Sequence, residues 1–366
     1  MMAPLFSSKL LIVLFFGTLF GLILGVLPGL GPTTGGALIL PFTMTLDPLS
    51  AIVLLTSIYC AGTYGGAITA ILINTPGTPA AAATCLDGYP QWSKRFTPRK
   101  TRYSWGTAAS PVLHGDRLYV VNDNEVDSWL LALDAKTGEE AWKVTRDEKS
   151  NWSAPYIWEN KKRTEIVLAG SGRTVSYDLA GKELWWWRRG MSSITIATPY
   201  SSSDLLYVSS GYVGDKKKPI YAIRPGAQGD ISIQPFKKSD NDYVAWCNWE
   251  AAPYNPSTLL YQGQLYSLLD RGWLRALDPK SGEFVYERKR LPPGAGYTVS
   301  PWAYNGKVFC LNEDGETRVV EAGKEFKYLH TNKLADDDMA MASPAMVGDR
   351  LLIRTAARVY CIRKGE

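Results

Sequence analysis

The sequence predicts a mixed fold: hydrophobic helical transmembrane segments at the N-terminus, then an all-β, incomplete β-propeller of about six four-stranded blades. Three observations carry that expectation. Of 40 basic and 35 acidic side chains, only Lys9, Asp47 and Asp87 precede residue 91, while all 13 tryptophans follow it. The run from Leu10 to Leu27, LLIVLFFGTLFGLILGVL, has Leu, Ile, Val or Phe at fourteen of eighteen positions. Beyond residue 100, a segment built from Asp, a glycine turn and an aromatic residue keeps returning. Such a split excludes a single soluble domain, a disordered chain and a disulfide-stapled miniprotein.

The first apolar run is long enough to span, since each such residue contributes roughly −0.3 to −0.6 kcal/mol at a helix centre. A secretory signal competes, because Lys9 precedes the run. The run, however, exceeds the ~7 to 15 residues of a signal core and ends in Pro-Gly-Leu-Gly-Pro instead of a small-residue cleavage site. Gly17, Gly21 and Gly25 recur every four residues and line one helical face, where another helix can approach closely. A second, weaker stretch runs from Asp47 to Cys85, interrupted by Cys60, Gly62, Tyr64, Gly65 and Gly66. Two clusters flank these pieces, Leu27-Pro28-Gly29-Leu30-Gly31-Pro32 and Asn74-Thr75-Pro76-Gly77-Thr78-Pro79. Proline removes donors and glycine permits unusual dihedrals, so the backbone is expected to unwind there. Paired broken helices of that kind hold carboxylates in secondary transporters.

Those clusters, with Gly25, Pro41, Asp47-Pro48, Tyr59, Tyr64-Gly65-Gly66, Ile71-Leu72 and Asp87-Gly88-Tyr89-Pro90, carry a resemblance. Residues 8–92 resemble the N-terminus of the large permease subunit of tripartite tricarboxylate transporters, the TctA family. The resemblance implies a many-span protein of the bacterial inner membrane, working with a small membrane subunit and a periplasmic protein that delivers the carboxylate. Ala67 departs from it, standing where a small hydroxyl residue would follow Tyr-Gly-Gly.

The body repeats. Asp134, Thr137, Gly138 and Trp142 recur as Asp278, Ser281, Gly282 and Tyr286, and in shorter form as Asp178, Gly181 and Trp185. Degenerate copies stand near Arg224, Glu321 and Arg363, giving intervals of 44, 46, 54, 43 and 42 residues. The long interval points to an insertion near residues 234–256. In such a turn, Asp and Thr or Ser bond the backbone and glycine takes the left-handed position. The aromatic ring stands on the outer strand, where it can fill the gap between neighbouring sheets. Ser110-Pro111, Ala154-Pro155, Thr198-Pro199, Ser300-Pro301 and Ser343-Pro344 keep the same beat, with Ser257-Thr258 in the fourth copy. Between these markers, runs at 116–121, 306–310 and 349–353 read as alternating strands, and four short strands per repeat is the cadence of a propeller blade.

The repeat over residues 105–366 resembles the tryptophan-docking motif of the PQQ-like propellers, which include quinoprotein alcohol dehydrogenases and a propeller lipoprotein of outer-membrane protein assembly. That resemblance implies seven or eight blades, against five full repeats and a partial sixth here. The expected division is a TctA-like transmembrane fragment at 1–92, a linker or join at 93–104 and propeller repeats at 105–366.

A quinoprotein-type enzyme would need a quinone, Ca²⁺ held by carboxylate and amide oxygens, and an adjacent cysteine pair. The five cysteines are dispersed and have no zinc spacing, so they read as buried apolar side chains, and His114 and His330 are isolated. No catalytic residue, metal or cofactor is therefore expected. Interspersed charges give no nucleic-acid signal. Trp185-Trp186-Trp187 reads as packing between blades, and Lys216-Lys217-Lys218 as a solvated loop, with a phosphate or lipid contact as the alternative.

The leading functional expectation is a membrane-tethered, non-enzymatic propeller that offers an interaction surface to a protein partner. A fragment of a tricarboxylate permease, with carboxylate substrate and transporter subunits as partners, is one alternative, and a quinoprotein-like dehydrogenase is another. A gene fusion or an accidental join between residues 90 and 105 would account for two interrupted families. Lys94, Arg95, Arg99, Lys100 and Arg102 would hold the body in the cytoplasm, whereas the PQQ-like resemblance implies the periplasmic side of a bacterial inner membrane.

Overall fold

The third strands of the first five repeats bury side chains on both faces, so each of those sheets has to be covered twice. Stacking sheets face to face meets that demand. The computed structural model describes residues 8–26, 39, 43, 45–58, 80–84, 90–202, 204–237, 241–335 and 338–363. Two compact units are present, Met1–Ala81 and Ala82–Glu366.

In the second unit six sheets follow one another as antiparallel meanders. Blade 1 comprises Val112–His114, Arg117–Asn122, Trp129–Asp134 and Glu140–Thr145, and blade 2 Tyr156–Glu159, Thr164–Leu168, Arg173–Tyr177 and Glu183–Arg188. Blade 3 comprises Tyr200–Ser202, Leu205–Ser209, Ile220–Ile223 and Val244–Asn248, and blade 4 Leu259–Tyr261, Gln264–Leu268, Trp273–Leu277 and Phe284–Arg290. Blade 5 comprises Trp302–Tyr304, Lys307–Leu311, Glu316–Glu321 and Tyr328–Lys333. Blade 6 has three strands, Ala345–Val347, Arg350–Arg354 and Val359–Arg363. The all-β body of about six blades is thus present.

Five apolar cores each lie between two consecutive blades. Leu206, Val208, Tyr221 and Ile223 of blade 3 face Trp158, Val167, Trp185 and Trp187 of blade 2. Their strand neighbours Tyr207, Ile220 and Ala222 face Leu265 and Leu277 of blade 4. Strand periodicity sends successive residues to opposite faces, and here both faces are interior. The alternation expected of the second strands holds in Lys307–Leu311 as far as Cys310 but not in Arg117–Asn122, which is buried without a break from Tyr119 onward; outermost strands such as Glu140–Thr145 alternate.

The recurrent Ser-Pro marker is an inner seam. Thr198 donates its backbone N–H to Ser257 Oγ (3.3 Å), Ser257 to Ser300 Oγ (2.9 Å) and Ser300 to Ser343 Oγ (3.1 Å), each reaching the next blade. Ser257 keeps the hydroxyl where the proline is lost, so the fourth copy stays in the chain of bonds.

The long interval is an insertion, as expected, but it begins earlier. The extra residues fall between Ile223 and Val244, overlapping the expected 234–256 only over 234–243, and carry a short strand, Gly229–Asp230, that pairs parallel with Trp185 and Trp186. Ile231 N–H and Ser232 Oγ continue the pairing to Trp186 and Arg188. The insertion covers the outer edge of blade 2, making that sheet five-stranded.

In the first unit, Ser8–Val26 is helical over 19 residues and residues 48–58 are helical too. Asp47 caps the second helix: its carboxylate accepts the Ser50 N–H (3.0 Å) and hydroxyl (2.8 Å), and Pro48 takes the first turn. Gly17, the first glycine of the expected face, is used. A Cβ on Gly17 would lie 2.0 Å from Ser57 Oγ and 3.2 Å from the Leu54 carbonyl oxygen, so only glycine allows this crossing. Among the described residues no helix is long and apolar enough to cross a membrane. Of the expected transmembrane segments the helical part is present in Ser8–Val26, and the described residues give no support for a span.

Blade 6 is braced by the buried Asp338 carboxylate, which accepts from the Thr355 hydroxyl (2.5 Å), the Ala357 N–H (3.0 Å) and Arg358 Nη1 (3.2 Å). The Thr355 bond first, then the other two, hold its acid below the usual carboxylate value. Its stabilisation is therefore complete above the unfolded value of about 4 and is lost as pH falls through the lower folded value. In urea melts the gap between the wild type and Asp338→Asn should be clear at pH 6 and close in strong acid; a gap independent of pH would refute this role.

Candidate functional site

The turn motif forms as its spacing predicts. Asp134 Oδ1 accepts the backbone N–H of Lys136 (2.9 Å) and Thr137 (3.0 Å), and Gly138 follows at φ 74°. Asp278 repeats this with Lys280 and Ser281 before Gly282 at φ 72°, and Asp178 with Ala180 and Lys182 around Gly181 at φ 87°. On each turn the glycine leaves room for an indole. Trp142 lies over Gly181, where a Cβ would be 3.0 Å from its ring, and donates Nε1–H to the Leu179 carbonyl (3.1 Å). Trp246 does the same over Gly282, donating to the Pro279 carbonyl (3.0 Å).

A third such indole lies in the stretch read as transporter-like. Trp92, on the strand Pro90–Arg95, covers Gly138 and donates to the Ala135 carbonyl (2.9 Å). Its signal was in the sequence: Gly88 precedes Trp92 by four residues, the spacing of Gly138 and Trp142. The remaining members of the motif differ. Trp185 is fully buried and donates Nε1–H to Glu165 Oε2 (2.6 Å) in its own blade, and it stacks on Trp187 at 5.6 Å. Trp187 in turn stacks on Tyr221 of blade 3 (4.6 Å), while Trp186 points the other way beneath Arg173 and Arg188. Tyr286 packs edge-on against Phe326 of blade 5, with its hydroxyl buried and unpartnered. Pro28, Gly29, Gly31, Pro32, Tyr64, Gly65, Gly66, Asn74, Pro76, Gly77, Asp87 and Gly88 lie outside the described residues.

Sequence inspection missed a surface platform. Tyr103 and Trp105 are 66% and 55% exposed, their rings are 5.0 Å apart, and Trp105 is 5.6 Å from Trp152. The backbone is strained to present them: Tyr103 (φ 55°) and Ser104 (φ 58°) both occupy the left-handed region. Trp152 Nε1–H donates to the Gly106 carbonyl (2.9 Å), and buried Thr101 accepts the Gly106 N–H (2.9 Å). Arg102 donates Nη1–H to the Ser193 carbonyl (2.6 Å) and its backbone N–H to Ser150 Oγ (2.9 Å). The Ser150 hydroxyl donates to Glu125, which holds that acid below the usual carboxylate value. Basic residues expected to flank a membrane serve this framework, since Arg99 also makes a two-pronged pair with Asp127 (2.7 and 2.8 Å).

Rigid exposed rings beside an arginine are suited to anchoring a partner, not to moving protons. The cysteines are less uniform than expected. Burial pushes the Cys310 thiol up to about 12 and raises that of Cys247, while Cys361 is exposed.

Residues 11–94 match the Tripartite tricarboxylate transporter TctA family, and residues 71–229 match the family described as Outer membrane protein assembly factor BamB. The chain resembles two families, one after the other. An uncharacterized 52.8 kDa protein from the TAR-I ttuC′ 3′ region of Agrobacterium vitis is 49% identical over 75 residues. That stretch is 20% of this chain and spans only 15% of the relative's length. BamB from Moraxella catarrhalis shares the body's fold, with a TM-score of 0.59 at 13% identity over 77% of this chain and 78% of that one. Quinohemoprotein alcohol dehydrogenase from Comamonas testosteroni gives 0.45 at 14% identity, covering 65% of this chain and 44% of that one.

Because Trp92 seats on blade 1 as Trp142 seats on blade 2, Trp92→Ala should destabilise the body by about 2 kcal/mol or more, comparably to Trp142→Ala in urea melts. A neutral Trp92→Ala would mean that the strand Pro90–Arg95 contributes nothing to the body.

Proposed function

We propose that the body is a non-enzymatic propeller that binds a protein partner through the platform of Arg102, Tyr103, Trp105 and Trp152, and that the apolar leader tethers it to a membrane. The platform is the observation that carries the proposal. Two large rings are held in solvent by strained backbone and a braced loop, a cost that burial against a partner would offset. Trp, Tyr and Arg are the residues that dominate binding energy at interfaces. The resemblance to an outer membrane protein assembly factor supports a binding role, and the TctA match supports membrane association of the leader.

Photo-crosslinking through benzoylphenylalanine at position 105 in cells should give a discrete protein adduct, and the same probe at exposed Tyr304 should not. Trp152→Ala should weaken the adduct without changing the melting temperature. No adduct at 105, with or without Trp152, would count against the platform.

Reconstitution with PQQ and Ca²⁺ is expected to give no dye-linked alcohol oxidation; turnover abolished by a chelator would make the body an enzyme. The second reading, a permease fragment, is favoured by the match of residues 11–94 to the Tripartite tricarboxylate transporter TctA family. Saturable citrate uptake into proteoliposomes, lost when Gly31 or Gly77 is replaced by a bulky residue, would decide for it.

A further inference from the structure

A polar cavity of about 290 Å³ opens between the loops of blades 3 and 4. Lys216 and Lys218 approach from blade 3, Arg275 and Arg288 from the third and fourth strands of blade 4, and Asp215, Glu250 and Asp270 complete the polar lining. Arg275 is 3% exposed and spends one hydrogen bond, from Nη1, on the Glu250 carbonyl; its buried Nε has no partner. No carboxylate lies within ion-pair distance of it among the described residues.

The repeat itself shows what this position requires. Arg318 occupies the same register in blade 5, one residue before the position opposite the outer-strand bulge, as Arg275 does in blade 4. Its Nε is also bare, but Nη2 donates to the Glu316 carboxylate (2.7 Å) and the Pro293 carbonyl (2.7 Å), and Nη1 to Thr331 (2.7 Å). The residue equivalent to Glu316 in blade 4 is Trp273, so the internal carboxylate is missing where the cavity opens. Burial and then the adjacent Arg288 charge hold Arg275 below the usual guanidinium value, outweighing the opposing pull of the Glu287 and Glu250 carboxylates, neither of which pairs with it directly.

We infer that this cavity binds a small carboxylic acid, whose carboxylate takes on Arg275 the place that Glu316 takes on Arg318. Arg288 and Lys218 supply further positive charge. Asp215 is engaged by the Ser193 N–H (2.5 Å), leaving Glu250 and Asp270 to accept from a hydroxyl or amino group on the ligand. The site is therefore selective for hydroxy or amino acids over simple anions.

Isothermal titration calorimetry on the full chain, with citrate, glutamate and inorganic phosphate as probes, tests this. Saturable binding of citrate or glutamate but not phosphate is expected, weakened tenfold or more by Arg275→Gln. Because a buried arginine can matter to folding, two further variants carry the decision. Exposed Arg288→Gln should weaken binding similarly, and Trp273→Glu, which copies Glu316, should abolish it by supplying an internal carboxylate. No heat with either acid, equal binding of phosphate, or binding indifferent to Arg288→Gln and Trp273→Glu would overturn the assignment.

Discussion

An indole laid on the glycine of the next blade's turn is the contact on which the body's geometry depends. The turn needs Asp to gather the backbone N–H groups and glycine to take φ near 75°, and the same glycine leaves the flat bare surface that the ring covers. The indole N–H then satisfies a turn carbonyl that the sheet cannot reach. One small motif thereby terminates a hairpin, spaces two sheets and seals the outer end of the apolar core between them. At the inner end, the serine seam from Thr198 to Ser343 performs the matching task.

Much of this was legible because it is periodic. The Asp-Gly-aromatic spacing marked the blades, and the Ser-Pro beat marked their first strands. Where periodicity fails, the sequence misled. Trp185 has the right spacing, yet Glu165 captures its N–H, because a buried carboxylate needs that donor more than a turn carbonyl does. The two-residue strand Gly229–Asp230 is too short to show a pattern, so the insertion was placed ten residues too late. The exposed rings of Tyr103 and Trp105 lie outside any repeat, and nothing in composition distinguishes them from core aromatics. Arg275 became meaningful only when set beside Arg318, a comparison of registers that needs the strands to be known.

Trp92 bears on how the two resemblances meet. The two family matches overlap over residues 71–94, and within that overlap a tryptophan is already docked on blade 1. Gly88 of the leader's last motif stands four residues before Trp92, the glycine-to-aromatic distance that the blade motif uses. Leader and body therefore share a segment in sequence, and the outer-strand role begins by residue 90.

Hydrogen exchange at the indole nitrogens, followed by NMR on the full chain with ¹⁵N-labelled tryptophan, tests the docking contact most directly. The N–H groups of Trp92, Trp142 and Trp246 should exchange slowly, and Trp92 should lose its protection in Gly138→Leu, where a side chain replaces the bare surface beneath the ring. Rapid exchange of all three, or protection of Trp92 unchanged in Gly138→Leu, would contradict the claim that tryptophan docking on the glycine turn holds the blades together.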